Sequence, residues 1–238
     1  MKLDILAFSA HPDDVELSAS GTVLKHIAAG KKVGIIDLTQ GELGSRGTPE
    51  TRKAEAEDSS KILGLTVRHN LKMADGFFEI NENNKRLIIE QIRKYKPDII
   101  LANADCDRHP DHGRASKLVS EAVFLSGLCK LNTEIGGVTQ EPHRPSAVYH
   151  YIQDYYIEPD IVIDVTDFIE QKMQSILAFK TQFFDPNSSE PETPISSKEF
   201  MEYVESRMRH FGRPIGVEYA EGFTVERYPG VDLLTDLI

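Results

Sequence analysis

Short apolar runs alternate with longer amphipathic ones along this chain. Residues 3–9 form an apolar run of the kind that fills a strand buried on both faces, and residues 16–29 then carry apolar side chains at helical spacing up to Gly30. Residues 32–39 read as a second strand. Beyond it, Thr48-Pro49-Glu50 supplies an N-cap, a proline suited to the first helical position and an acid in the first turn of a helix reaching Gly64. Residues 66–73 suit a third strand, 83–96 a helix with Leu87, Ile88, Ile92 and Tyr95 on one side, and 97–102 (PDIILA) a fourth strand. Further helices are expected over 111–128 and 167–183, and further strands over 146–152 and 160–165.

Strands alternating with helices predict an α/β fold, a doubly wound, Rossmann-like and mostly parallel sheet with helices on both faces. The 238 residues suit one large core and are few for two, so residues 1–238 are expected to form a single domain. Residues 185–197, rich in Pro, Ser, Asn and Glu, are expected as an exposed loop or lid. Ser196-Ser197-Lys198-Glu199 then resembles a capping box opening a helix that stops near Gly212 and Pro214.

Charge narrows the partners. With 38 acidic and 27 basic residues the formal net charge is −11, which disfavours nucleic acid and anionic membranes and leaves any anionic substrate to local arginines. No run approaches the roughly 18 apolar residues of a membrane span, and the segment around Asp4 and Pro12 suits a strand better than a signal peptide. Cys106 and Cys129 are too few for a disulfide framework, and a cytoplasmic location is expected.

Two segments carry chemistry. Ala10-His11-Pro12-Asp13-Asp14-Val15-Glu16 falls where the first strand gives way to the first helix, and Arg108-His109-Pro110-Asp111-His112 follows the strand PDIILA and enters another helix. Ligands of open α/β sheets bind at that edge. Taken alone, each segment reads as a helix cap with an ordinary turn histidine; together they offer imidazole and carboxylate groups suited to Zn²⁺ and similar divalent ions. The glycines of residues 41–47 (GELGSRG) match neither the dinucleotide fingerprint nor a phosphate-binding loop. A Cys106, His109 and His112 set ranks below the others for want of more cysteines, and His26, His69, His143, His150 and His210 have no comparable setting.

AHPDDVEL, RHPDHG and the late segment Gly216-Val217-Glu218-Tyr219-Ala220-Glu221-Gly222-Phe223 resemble the PIG-L/LmbE-like family of metal-dependent N-acetylglucosaminyl deacetylases, over nearly the whole chain. They are most similar to the branch that acts on N-acetylglucosaminyl malate in bacillithiol biosynthesis. The resemblance implies metal ligands His11, Asp14 and His112 and a catalytic carboxylate at Asp13. A ligated Asp14 is not free to act as a base, whereas Asp13 is. His109 is expected as a cation that stabilises the oxyanion or protonates the departing amine, with Asp111 holding its other ring nitrogen, capping the helix, or both. Arg52 matches a substrate-contacting arginine of the family; Arg108 and Arg46 are weaker candidates. Glu218, Tyr219 and Glu221 are candidates to close the pocket or to serve as a simple strand and turn, and Val15 before Glu16 leaves Glu16 without an expected direct role.

The expected substrate is therefore a small N-acetylated aminosugar conjugate, the expected cofactor Zn²⁺ with Fe²⁺, Co²⁺ or Mn²⁺ as alternatives, and the expected assembly a homo-oligomer, a trimer or hexamer by family analogy. Chitooligosaccharide or free N-acetylglucosamine is the alternative substrate. A metallophosphoesterase would want more bridging ligands for a second ion. A glycosidase would want its two carboxylates farther apart than neighbours in one turn. A non-catalytic sugar- or metal-binding module would lack Asp13 or His109, and both are present.

Overall fold

The computed structural model describes residues 1–237. In chain order the elements are β1 (Ile5–Ser9), α1 (Asp14–Ala28), β2 (Val33–Thr39), α2 (Pro49–Leu63), β3 (Val67–Met73), α3 (Glu82–Tyr95), β4 (Ile99–Ala102) and α4 (Pro110–Ser126). A small hairpin, β5 (Glu134–Ile135) and β6 (Val138–Thr139), precedes β7 (Ala147–Tyr151), β8 (Ile161–Asp164), α5 (Ile169–Leu177), α6 (Lys198–Gly212) and β9 (Ala220–Val225). Seven strands make one sheet in the order β3-β2-β1-β4-β7-β9-β8. All neighbours from β3 to β7 are parallel, and β9 runs antiparallel to both β7 and β8.

Period-2 alternation explains why β1 and β2 are apolar throughout. Ile5 and Ala7 of β1 and Val33 and Ile35 of β2 pack with Val15, Ala19 and Val23 of α1, while Leu6, Phe8, Ile36 and Leu38 face Ile88 and Ile92 of α3 and Leu118 and Val119 of α4. Each strand thus needs apolar side chains on both faces. The order reverses between β1 and β4, which feed chain to opposite sides of the sheet, and the crevice at their carboxyl ends is the expected ligand edge of such a fold.

Local signals held where capping chemistry was explicit. Thr48 caps α2 through a capping box with Thr51, and Gly64 ends it at φ 74°, a left-handed conformation open to glycine at little cost. Elsewhere tertiary contacts moved the boundaries. The helix expected over 167–183 ends at Leu177, because Phe179 and Phe183 turn into a core with Val204 and Met208 and the Thr181 N–H donates to Glu55 Oε1 at 2.6 Å. The cap of α6 is Ser197, whose side chain accepts from Phe200 N, whereas Ser196 bonds the Thr193 backbone, so the expected Ser196–Glu199 box does not form. Residues 185–197 are irregular and largely exposed, with Ser196 buried.

A buried ion pair is wedged against α1. Glu221 of β9 accepts from Gly21 N at 2.9 Å and Thr22 N at 2.7 Å, and Lys172 of α5 donates to the Glu16 and Leu17 carbonyls at 2.9 and 3.1 Å and to Glu221 Oε1 at 2.8 Å. Both side chains are inaccessible to solvent. Gly21 permits the approach, since a Cβ there would lie 2.7 Å from Val165. Glu221 is therefore a structural anchor and not a pocket-closing residue. Glu218 and Tyr219 are likewise engaged by Arg209, away from the β1 and β4 ends.

Candidate active site

The turn after β1 and the N-terminus of α4 meet at the carboxyl edge of the sheet. The His11 and His112 ring centroids are 5.6 Å apart, with His109 at 4.6 Å from His11 and 5.2 Å from His112. His11 Nε2 bonds Asp75 Oδ1 at 3.0 Å and lies 3.4 Å from Asp111 Oδ2, and its Nδ1 is 3.8 Å from Asp14 Oδ2. On the other side, His112 Nδ1 bonds Asp107 Oδ2 at 2.5 Å and its Nε2 is 3.1 Å from Asp14 Oδ1. Each imidazole thus has one nitrogen committed to carboxylates outside the cluster and the other turned toward Asp14. Such carboxylate partners fix the tautomer and raise the basicity of the opposite nitrogen.

Asp14 is held rigidly. Its Oδ2 accepts from His11 N and from Asn103 Nδ2, both at 2.9 Å, and its Oδ1 from Gln153 Nε2 at 3.1 Å. Asn103, just past β4, also accepts from Ala10 N at 2.9 Å and so ties the two strand ends together. Burial works against ionised Asp14, but His112 and His11 overcome it and hold the carboxyl well below its usual range. Burial also opposes protonation of the two imidazoles. Asp111 and Asp75 nevertheless push His11 up to about 10, and Asp14 and Asp107 push His112 up to about 9. So many acids around two imidazoles make a setting that stabilises positive charge.

The side chain of Asp13 lines the same cavity without joining this lattice. It stands at φ 132°, a strained conformation for any residue but glycine, and its backbone forms the N-cap of α1. Arg52 donates to Asp13 Oδ2 at 3.1 Å and to the Pro12 carbonyl at 2.6 Å. Burial and the neighbouring Asp14 raise the carboxyl to about 7 against the opposing pull of Arg52. A carboxylate poised there can gain and lose a proton near neutral pH.

Two expectations about the second motif are corrected. The Asp111 carboxylate does not hold His109: it accepts from Gly76 N at 2.8 Å, pairs with Arg114 and faces His11. What bonds His109 is the Asp111 backbone N–H, donating to His109 Nδ1 at 3.2 Å, so His109 caps α4 and Asp111 lies in its first turn. An accepting Nδ1 leaves the proton on Nε2. Burial, with His11 and His112 beside it, lowers the His109 pKa, which favours the neutral ring over the expected cation.

The cavity has a volume of about 420 Å³ and is lined also by Leu43, Phe77, Arg108, Ile195, Phe200 and Arg207. Arg108 reaches it but pairs with Asp154 at 3.0 Å. Arg46 is buried and bonds Ser188 Oγ at 2.7 Å. Cys106 is exposed and belongs to neither of the candidate metal-holding groups found among the described residues, which are His11, His109 and His112, and His11, Asp75 and Asp111. Glu16 lies outside the cavity, bonded to Ser59 and Arg68. Asp75, Asn103, Asp107 and Gln153 were not anticipated from sequence. The Asp75-Gly76 turn just past β3, on the same sheet edge, was the one available signal.

Residues 6–123 match the family model "PIG-L: GlcNAc-PI de-N-acetylase". The fold superposes on the crystal structure of a conserved protein from Thermus thermophilus with a TM-score of 0.85 and 34% identity, over 98% of each chain. Diacetylchitobiose deacetylase of Thermococcus kodakarensis is 29% identical over 96% of this chain and 84% of its own. A Bacillus anthracis protein named "Probable N-acetyl-alpha-D-glucosaminyl L-malate deacetylase 2" is 22% identical over 75% of this chain and 81% of its own. No helix among the described residues is long and apolar enough to cross a membrane. With its His and Asp donors gathered at the switch point of the sheet, this chain belongs to the PIG-L/LmbE-like family and is an N-deacetylase of N-acetylated sugar conjugates.

Proposed function

We propose that the enzyme is a Zn²⁺-dependent hydrolase that releases acetate from an N-acetylglucosaminyl conjugate with an acidic aglycone, N-acetyl-alpha-D-glucosaminyl L-malate. The observation that carries this reading is the convergence of His11 Nδ1, Asp14 and His112 Nε2 beside Asp13, a carboxylate left out of their hydrogen-bond lattice. Two imidazole nitrogens and one carboxylate make a donor set suited to a catalytic Zn²⁺ with room for further ligands, and the surrounding acids offset its charge. Bound there, the ion supplies Lewis acidity toward the acetyl carbonyl and toward water.

The protein's own groups do the rest. Asp13 accepts a proton from the attacking water as its oxygen adds to the acetyl carbon. His109 donates its Nε2–H to the oxyanion that forms, a role a neutral imidazole fills without proton transfer. Asp13 then returns its proton to the glucosaminyl nitrogen as the C–N bond breaks, giving acetate and a free amine. Arg52 keeps the Asp13 carboxylate aimed into the cavity.

Arginines on the cavity wall support an acidic aglycone. A second reading, a neutral chitobiose-type substrate, is favoured by Phe77, which is 77% exposed at the rim and offers an aromatic face to a sugar ring. Amine release from N-acetylglucosaminyl malate and from diacetylchitobiose, by metal-stripped enzyme with and without Zn²⁺, separates the readings. Release is expected only with the ion and faster from the malate conjugate. Release independent of metal would overturn the mechanism, and preference for the disaccharide would overturn the aglycone. Asp107→Asn is expected to weaken Zn²⁺ affinity about 10- to 100-fold in a chelator competition titration, because it loosens the hold on His112 Nδ1.

A further inference from the structure

Three arginines line the catalytic cavity, and two of them are already neutralised: Arg52 by Asp13 at 3.1 Å and Arg108 by Asp154 at 3.0 Å. Arg207 of α6 is different. It makes no ion pair among the described residues, and its one hydrogen bond runs from Nη2 to the Leu17 carbonyl at 3.0 Å. Its guanidinium also lies over the Tyr203 ring, 5.7 Å from the centroid. Nε and Nη1 make no hydrogen bond among the described residues, and Arg207 lines the cavity.

The acids whose charge reaches Arg207 are Glu221, Asp154 and Asp107, and all are engaged elsewhere. Glu221 accepts from Gly21 N, Thr22 N and Lys172. Asp107 uses Oδ2 for His112 and Oδ1 for the backbone N–H groups of Asp154 and Tyr155, and the Asp154 carboxylate is taken by Arg108. Arg207 is thus a half-buried cation, fixed by a carbonyl of the helix that bears Asp14 and stacked on an aromatic ring, with four of its five N–H groups unspent; one edge of the fork, the second Nη2 hydrogen with either Nε or Nη1, is left for a ligand. A planar fork held in place in this way suits a carboxylate, which takes two parallel N–H···O bonds from it, and little of the side chain's entropy remains to be lost on binding.

We infer that Arg207 reads a carboxylate on the aglycone of the substrate and so sets the preference of the enzyme for acidic over neutral conjugates. This inference rests on the deacetylase reading of the cavity and names the group that recognises the non-reacting half of the substrate. Arg52 and Arg108, the arginines singled out from sequence, then act chiefly on Asp13 and Asp154.

The test compares N-acetylglucosaminyl malate with its dimethyl ester, which keeps the sugar and removes the negative charges. Dissociation constants are measured by titration calorimetry on the Zn²⁺-loaded Asp13→Asn enzyme, whose slowed turnover lets binding be read, with wild-type Arg207 and with Arg207→Gln or Arg207→Lys, and thermal unfolding checks the fold. With Arg207 in place, the diacid is expected to bind about 10- to 100-fold more tightly than the diester, the range for a charge-assisted pair. In Arg207→Gln the ratio falls toward one, and in Arg207→Lys, which keeps the charge and loses the fork, it is intermediate. A purely structural Arg207 would weaken both ligands alike and leave the ratio standing, which overturns the inference, as does equal binding of diacid and diester with Arg207 in place. Should Arg207→Gln not fold, a fall of the ratio in Arg207→Lys decides for the inference and an unchanged ratio against it. The binding ratio needs no turnover, so failure of either conjugate to release acetate counts against the deacetylase reading alone.

Discussion

Asp13→Asn is expected to lower kcat for amine release by about 10²- to 10⁴-fold, the usual worth of a positioned general base, while leaving Zn²⁺ affinity within a few-fold of wild type. The substitution is a clean one for a structural reason. Asp13 stands at φ 132°, and asparagine tolerates positive φ better than other non-glycine residues, so the turn should survive. The asparagine side-chain oxygen can still accept from Arg52, and the amide cannot take a proton from water. Metal affinity should hold because the bonds that fix His11, Asp14 and His112 come from Asp75, Asn103, Gln153 and Asp107, none of which involves Asp13. The measurement is kcat on N-acetylglucosaminyl malate beside a chelator competition titration for Zn²⁺. A variant retaining more than a tenth of wild-type kcat would remove Asp13 from the proton path, and one that loses the ion would make it a ligand-positioning residue instead.

The largest expected stability effect lies away from the reacting groups. Lys172→Met leaves the Glu221 carboxylate without its cation in a fully buried setting, and the general cost of stranding one member of a buried pair is about 3–5 kcal/mol. Burial tends to discharge Lys172, and Glu221 works against that loss. The substitution also takes the donor from the Glu16 and Leu17 carbonyls in the first half of α1. Urea denaturation of the two proteins should show a lower midpoint for the variant with little change in slope. Adding Glu221→Leu should cost little more for the pair itself, but it strips the Gly21 and Thr22 N–H groups of their acceptor, so the double variant should not recover wild-type stability. A loss below about 1 kcal/mol for Lys172→Met would mean that the pair does not anchor α1 as the geometry indicates.

Much of the scaffold was legible because its signals are local. The apolar β1, the Thr48 cap with Pro49, and Gly64 each settle a boundary within a few residues of themselves, and the β1 and β4 ends brought the two histidine motifs together as the alternation predicted. The framework behind the motifs was not legible. Asp75, Asn103 and Gln153 are single polar residues with no spacing pattern, and they reach His11 and Asp14 across 64, 89 and 139 positions. Asp111 shows the limit within a motif: its letter fitted an orienter of His109 and a helix cap, yet the contact with His109 comes from its backbone, and its carboxylate turns to Gly76 and Arg114. The late segment containing Tyr219 and Glu221 was open to two readings for a related reason. Its letters suited closing the pocket or a plain strand and turn, and burial in β9 makes Glu221 an anchor for α1.

The place of β9 in the sheet bears on how the chain must be assembled as it leaves the ribosome. Among the described residues β9 follows every other strand in sequence, yet it lies between β7 and β8 and is the only strand to which β8 is hydrogen-bonded. Until residues 220–225 have been synthesised, β7 therefore presents an unpaired edge and β8 has no partner within the sheet. Glu221 arrives with the same strand, so the backbone of α1 also waits for its acceptor. A nascent chain halted before Ala220 would hold β1 to β4 and both histidine motifs and still carry an open strand edge, the kind of surface that invites association with other chains and engagement by chaperones.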